Sequence, residues 1–266
     1  MQTIINLYKE KFNKREKISV VTCYDASFAK IISEIEMDSI LVGDSLGMVV
    51  QGYNSTLPVT LDEMIYHTKA VKRGAPNKYI ICDLPFLSYQ VSVEQGVSAG
   101  GLAIKETGCD AVKLEGANEI ALETIRRLTD MGVPVMGHLG LTPQSYQVLG
   151  GYKVQGKDEK GAEKILNDAV ALENAGVFSI VLEMLPEVLG EKITNALTIP
   201  TIGIGAGRHT SGQVLVINDL LGVNAEFKPK FLKRFADLNT IIKQALVAYN
   251  NEVKDGSFPR EENIFK

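Results

Sequence analysis

The sequence predicts an α/β fold: a (βα)8 TIM barrel with an N-terminal helix ahead of it and a long C-terminal helix behind it, in a single domain over 1–266. Three observations lead there. Short apolar runs alternate with stretches of helical period, which implies parallel strands covered by helices. Eight such runs can be traced between positions 18 and 217, helices standing between most of them, which favours a closed barrel over an open doubly wound sheet. No linker and no shift in composition divides the chain.

Taken in order, 3–13 reads as a short amphipathic helix. The run 18–22 is the first strand, 26–36 a helix and 39–43 the second strand, followed by a long polar loop over 44–59. Thr60 and Glu63 have capping-box spacing, and Leu61, Met64, Ile65, Thr68 and Val71 share the face of the helix they start. The third strand is 79–82, ending at Asp83. Ser92 and Gln95 repeat the capping-box spacing. The fourth strand, 111–114, ends at Glu115, and 118–131 is helical. The fifth, 133–137, ends at His138 and opens a second long loop over 139–158. A helix over 159–175 leads to the sixth strand, 178–182, ending at Glu183. A helix over 186–196, a seventh strand at 201–204 and an eighth at 213–217 complete the count. The final helix is expected over 231–253, with Leu232, Phe235, Leu238, Ile242 and Tyr249 on one side.

Composition narrows the function classes. Hydrophobic residues make up 45% and charged residues 23%, the proportions of a soluble globular protein. A net charge of −4 carries no nucleic-acid footprint. No apolar run reaches the roughly 20 residues of a membrane span, and the first residues lack the uninterrupted apolar region and cleavage site of a secretory signal. Cys23, Cys82 and Cys109 have no CxxC spacing and read as buried thiols of a reducing compartment. His67, His138 and His209 are too scattered for a zinc site.

The chemistry lies where the strands end. Asp44, with Ser45 beside it, follows the second strand; Asp83, Glu115, His138 and Glu183 follow the third to the sixth. In a barrel these ends share one rim and one pocket. A cap explains one such residue; it explains five in succession poorly. Four carboxylates at one rim repel unless a positive group sits among them or some are protonated, and carboxylates without cysteine suit a hard divalent cation such as Mg²⁺. Lys113 precedes Glu115 by two residues, so both occupy one face of their strand; the lysine is an anchor for an anionic substrate or half of an internal ion pair. A cation plus a lysine suits a 2-oxo acid, whose enolate both would stabilise. A carboxylate outside the cation's ligands would be the base; spacing leaves open which one.

At these residues the sequence resembles the ketopantoate hydroxymethyltransferase family. The resemblance rests on TCYDASFA at 22–29, VGDSLGMVVQG at 42–52, TLPVTLDEMIYHTKAV at 56–71, DLPFLSYQ at 83–90, AVKLEG at 111–116, GHLGLTPQS at 137–145, YKVQGK at 152–157 and GIGAG at 203–207, and covers nearly the whole chain. It implies a barrel of the phosphoenolpyruvate and pyruvate-binding type. It implies transfer of a hydroxymethyl group from 5,10-methylenetetrahydrofolate to 3-methyl-2-oxobutanoate, giving 2-dehydropantoate in pantothenate biosynthesis. It places Asp44, Asp83 and Glu115 at Mg²⁺; Asp44, Ser45, Asp83, Lys113 and His138 at the oxo acid; and Glu183 as the proton acceptor. It also implies a cytoplasmic homo-oligomer, decameric in the family, with small-molecule substrates and neither nucleic acid nor membrane as partner. Leu87, Thr210-Ser211 and Asn263 depart from the family pattern, all outside the metal and base positions.

Two other readings stand beside this one. The lyases and mutases that act on 2-oxo acids share the barrel, but the Lys-Lys-Cys-Gly-His loop of those lyases does not occur here. A barrel that binds metal and oxo acid without catalysis is the second, and the complete set Asp44, Asp83, Lys113, Glu115 and Glu183 argues against it.

Overall fold

The computed structural model describes residues 2–266. The chain forms two compact units, Met1–Val216 and Ile217–Lys266.

The first unit opens with helix α1 (Ile4–Lys14), capped by Thr3, whose side chain accepts from the Asn6 amide. Strand β1 (Ile18–Thr22), helix α2 (Ala26–Ser33) and strand β2 (Ser39–Val42) follow. The loop expected over 44–59 begins with a single-turn helix, α3 (Leu46–Val49). Helix α4 (Leu61–Gly74) carries the full capping box: Thr60 accepts from the Glu63 amide, and the Glu63 carboxylate accepts from the Thr60 amide. Strand β3 (Tyr79–Asp83) leads to α5 (Val93–Thr107), where only half of the second box forms. Ser92 accepts from the Gln95 amide, but Gln95 donates its own side chain to the Leu87 carbonyl.

Strand β4 (Ala111–Lys113), helix α6 (Glu119–Asp130), strand β5 (Val135–Gly140), helix α7 (Glu159–Ala175), strand β6 (Ser179–Glu183), helix α8 (Glu187–Ala196), strand β7 (Thr201–Ile204) and strand β8 (Gly212–Leu215) complete the unit. The strands pair in parallel in chain order, and β8 closes on β1.

Each strand contributes a buried apolar side chain to the barrel core: Val20, Leu41, Ile81, Ala111, Met136, Val181, Ile202 and Val214. This continuous apolar cluster is the core. Below it, α1 closes the amino-terminal end. Ile4 and Tyr8 are buried there, Tyr8 shares a 2.7 Å hydrogen bond with Ser39, and its ring meets Phe178 edge-on at 5.2 Å. Above it, two residues further along the same strand faces, the lining becomes charged: Asp83, Lys113, His138 and Glu183.

The second unit contains α9 (Ile217–Leu220) and α10 (Leu238–Asp255). The helix expected over 231–253 starts seven residues later, because Asp237 caps it, accepting from the Thr240 amide and hydroxyl. No residue of α10 is buried. Among the described residues no helix is long and apolar enough to cross a membrane.

Candidate active site

The polar pocket sits at the carboxyl ends of β2 to β6. Register places Asp83 directly beside Lys113 on the neighbouring strand, and Glu183 beside Gly140. Lys113 Nζ lies 2.8 Å from Asp83 Oδ1 and 3.9 Å from Glu115 Oε1. His138 bridges the far side, its Nδ1 3.3 Å from Glu115 Oε1 and its Nε2 3.3 Å from Glu183 Oε2. Asp44 joins through its amide, which donates to Asp83 Oδ2 at 3.3 Å. Ser45 stands at the edge, sharing a 2.9 Å hydrogen bond with the Tyr24 hydroxyl.

This crowding dictates the sequence around it. A β-carbon on Gly43 would stand 2.8 Å from Ser45 Oγ, so any larger residue would displace the Ser45 hydroxyl from its place past the end of β2. Gly140 takes φ +96°, and a β-carbon there would lie 2.1 Å from the Glu183 carbonyl oxygen. It turns the chain back over the pocket mouth immediately after β5.

Two of the sequence expectations shift. His138 is inside β5 rather than at its end, because the strand runs on to Gly140. Glu115 lies two residues past the end of β4 and reaches back. All five strand-end residues nonetheless share the pocket.

Burial and charge set the protonation states. Burial, then the charges of Asp83 and Glu115, push the Asp44 carboxyl well above the usual range. Asp83 is pushed up by burial against the pull of Lys113. Burial would also raise Glu115, but hydrogen bonding and charge from His138, with Lys113, outweigh it and hold it low. Burial opposes charge on Lys113, yet Asp83, Glu115 and Asp44 keep it protonated. Burial and Lys113 disfavour the imidazolium of His138, but Glu115 and Glu183 prevail and lift it to about 9. Glu183 differs from the other acids in access: its side chain is 18% exposed, against 3% for Asp83 and 4% for Glu115.

Sequence reasoning missed Tyr89 and Gln144. Gln144 lies in a short 3₁₀ turn, Pro143–Ser145, within the long loop after β5. Its side chain donates to Asp44 Oδ2 at 2.8 Å, and its amide donates to Glu115 Oε2 at 3.1 Å. Tyr89, buried after β3, accepts from the Glu115 amide at 3.0 Å. Both belong to the segments DLPFLSYQ and GHLGLTPQS, but nothing in their period marks them as buried. The outer loop is held by a stacked pair, Tyr146 on Tyr152 at 5.5 Å.

In kind, the acids suit a hard cation. They offer carboxylate oxygens alone, and Asp83 Oδ1 is enclosed with no hydrogen bond aligned on it, although Lys113 stands close. They are not preassembled: among the described residues no three acid, histidine or cysteine side chains are arranged so as to hold a metal ion. A separate cavity of about 640 Å³ between Leu57–Leu61, Phe86–Ser88 and α5 is lined by none of these acids.

The fold is shared with enzymes of the phosphoenolpyruvate mutase and isocitrate lyase superfamily. A 2,3-dimethylmalate lyase described as a member of it superposes with a TM-score of 0.63 at 13% identity, over 100% of this chain and 93% of that one. A phosphonopyruvate hydrolase superposes at 0.65 and 9% identity, over 100% and 92%. Sequence relationships are far nearer. Residues 2–261 match the family described as ketopantoate hydroxymethyltransferase. A 3-methyl-2-oxobutanoate hydroxymethyltransferase of Leptospira interrogans serogroup Icterohaemorrhagiae serovar copenhageni is 57% identical over 265 residues, covering 100% of both chains. One of Clostridium beijerinckii is 51% identical over 266 residues, 100% of this chain and 96% of its own. Agreement of this depth, sustained from end to end, makes the chain an enzyme of the ketopantoate hydroxymethyltransferase family.

Proposed function

We propose that the protein transfers a hydroxymethyl group from 5,10-methylenetetrahydrofolate to 3-methyl-2-oxobutanoate, giving 2-dehydropantoate and tetrahydrofolate on the route to pantothenate. One observation carries the reading: a charged layer of acids, lysine and histidine sits directly on the apolar core at the carboxyl rim, and one of its acids, Glu183, remains accessible.

Asp44, Asp83 and Glu115 would hold Mg²⁺. The ion, when bound, supplies Lewis-acid polarisation of the 2-oxo group. Everything else falls to the chain. Lys113, kept charged by its carboxylate neighbours, binds the anionic oxo acid and faces the charge that develops when C3 loses its proton. Ser45, at the pocket edge, donates to the substrate's polar end. Glu183 accepts the C3 proton, since it is not paired with Lys113 and reaches the pocket mouth. His138, lying 3.3 Å from Glu183, orients that carboxylate and faces the oxo acid. Water hydrolyses the donor's methylene bridge, breaking both of its carbon–nitrogen bonds to give tetrahydrofolate and a formaldehyde-level carbonyl; the C3 carbanion adds to that carbonyl carbon, and the new alkoxide takes back the proton held by Glu183.

The protein is further proposed to be a cytoplasmic homo-oligomer, decameric by family resemblance. Free thiols at Cys23, Cys82 and Cys109 support the reducing compartment. Helix α10 supports association with further copies: it exposes Ile241, Ile242, Leu246, Tyr249 and Val253 at helical spacing.

The test is proton NMR of 3-methyl-2-oxobutanoate in D₂O with enzyme and Mg²⁺, with and without tetrahydrofolate. Loss of the C3 proton signal that requires the metal and slows by about 10² to 10⁴ in Glu183→Gln is the expected result. Exchange that survives EDTA, or normal turnover by Glu183→Gln, overturns the assignment.

A further inference from the structure

Gln144 uses every hydrogen-bonding valence of its side chain. Nε2 donates to Asp44 Oδ2 at 2.8 Å and to the Leu84 carbonyl at 3.0 Å. Oε1 accepts from the Tyr89 hydroxyl and from Gln90 Nε2, both at 2.8 Å. The orientation of the amide is forced. The Leu84 carbonyl can only accept, so the NH₂ group must face it, which also brings Nε2 to Asp44 Oδ2. The Tyr89 hydroxyl accepts from the Glu115 amide, and its own proton has a nearer acceptor in Oε1, at 2.8 Å, than in the Glu115 carbonyl, at 3.3 Å. The Gln144 main chain adds a third tie, donating to Glu115 Oε2 at 3.1 Å. Gln144 is 6% exposed, so these bonds face no competition from solvent.

We propose that Gln144 is a positioning residue: through Nε2 it fixes the rotamer of Asp44 and leaves the other carboxylate oxygen, Oδ1, to the cation. The inference rests on the reading of Asp44 as a metal ligand given under Proposed function. The loop after β5 thereby becomes part of the metal site without supplying a ligand. Outer-shell partners of this kind change metal affinity by about 10- to 100-fold when removed.

The test is Mn²⁺ binding to the full-length, substrate-free protein, read from the free-ion EPR signal, with circular dichroism and Tm confirming the fold. Gln144→Met keeps the length and the main-chain bond to Glu115 but loses the Asp44 bond. Its Mn²⁺ Kd should rise about 10- to 100-fold. Gln144→Asn keeps an amide but shortens its reach by one methylene, and should weaken binding in the same direction; it carries the test if the methionine variant misfolds. In an Asp44→Ala background, which removes the acceptor, Gln144→Met should add no further loss, because its effect passes through Asp44. A folded Gln144 variant with a Kd within twofold of wild type overturns the proposal, as does an additive double variant. Wild-type protein that binds no Mn²⁺ overturns the metal reading itself, which separates the two failures.

Discussion

Lys113→Met removes the positive charge buried between Asp83 and Glu115. At an effective dielectric of about 20, a unit charge 2.8 Å from Asp83 Oδ1 is attracted by about 6 kcal/mol, and one 3.9 Å from Glu115 Oε1 by about 4 kcal/mol. Most of that repays the cost of burying lysine, which is 3% exposed. What survives in experiment when one partner of a buried pair is lost is about 3–5 kcal/mol, since Asp83 stays buried without its close cation while Glu115 keeps His138 at 3.3 Å. Urea unfolding of the protein in EDTA at pH 7.5 should therefore show ΔG reduced by about 3–5 kcal/mol with m unchanged. Adding Asp83→Asn should recover more than half of the loss, because it removes the stranded anion. Lys164→Met provides the contrast: its pair with Asp168 leaves the lysine 74% exposed, and its loss should cost under about 0.5 kcal/mol. A Lys113→Met protein within about 1 kcal/mol of wild type, or one that Asp83→Asn fails to rescue, would refute the reasoning.

Three further outcomes are expected. Gly140→Ala must push its β-carbon into the Glu183 carbonyl at positive φ, and should lose about 2 kcal/mol or more together with most activity, whereas Gly116→Ala, at φ +87° in open space, should cost only about 1 kcal/mol; paired Tm and turnover measurements decide. The folded-state pKa of His138 is raised, so its contribution to stability is full below about pH 6.5 and is lost as pH rises through about 9; in metal-free protein the urea midpoint should fall across that window in wild type and much less in His138→Gln. Thr60→Ala removes one half of the capping box on α4 and should lower stability by about 1 kcal/mol in thermal unfolding, with turnover unchanged.

The barrel was legible because its strands are short and buried on both faces, so each reads as an apolar run between turn signals. Lys113 was placed inside the barrel by alternation alone, and its contact with Asp83 follows from strand register. Glu115 was legible as a member of the same cluster for the same reason. Gln144 was not: a glutamine in a polar loop reads as solvated, and its partner Asp44 is 100 residues away in the chain. Only the turn at Gly140 and the shape of the pocket bring them together. Tyr89 was hidden in the same way, since it leaves β3 in irregular chain and meets the Glu115 amide from another strand. The late start of α10 was a matter of competition: Leu232 and Phe235 fit the helical period, but Asp237 offers a cap that ends the preceding irregular stretch.

Helix α1 has a consequence for traffic. With Ile4 and Tyr8 packed beneath the apolar core that fills the barrel, the pocket is blind-ended, and whatever enters must leave by the same mouth. On the proposed reaction that mouth would serve a small oxo acid, held deep beside Lys113, and a far bulkier donor that would lie above it. The small molecule must enter before the large one, and the spent donor must depart before the product. Such a pocket imposes a queue: steady-state kinetics should be ordered, and donor bound first should stall the enzyme by standing in the doorway.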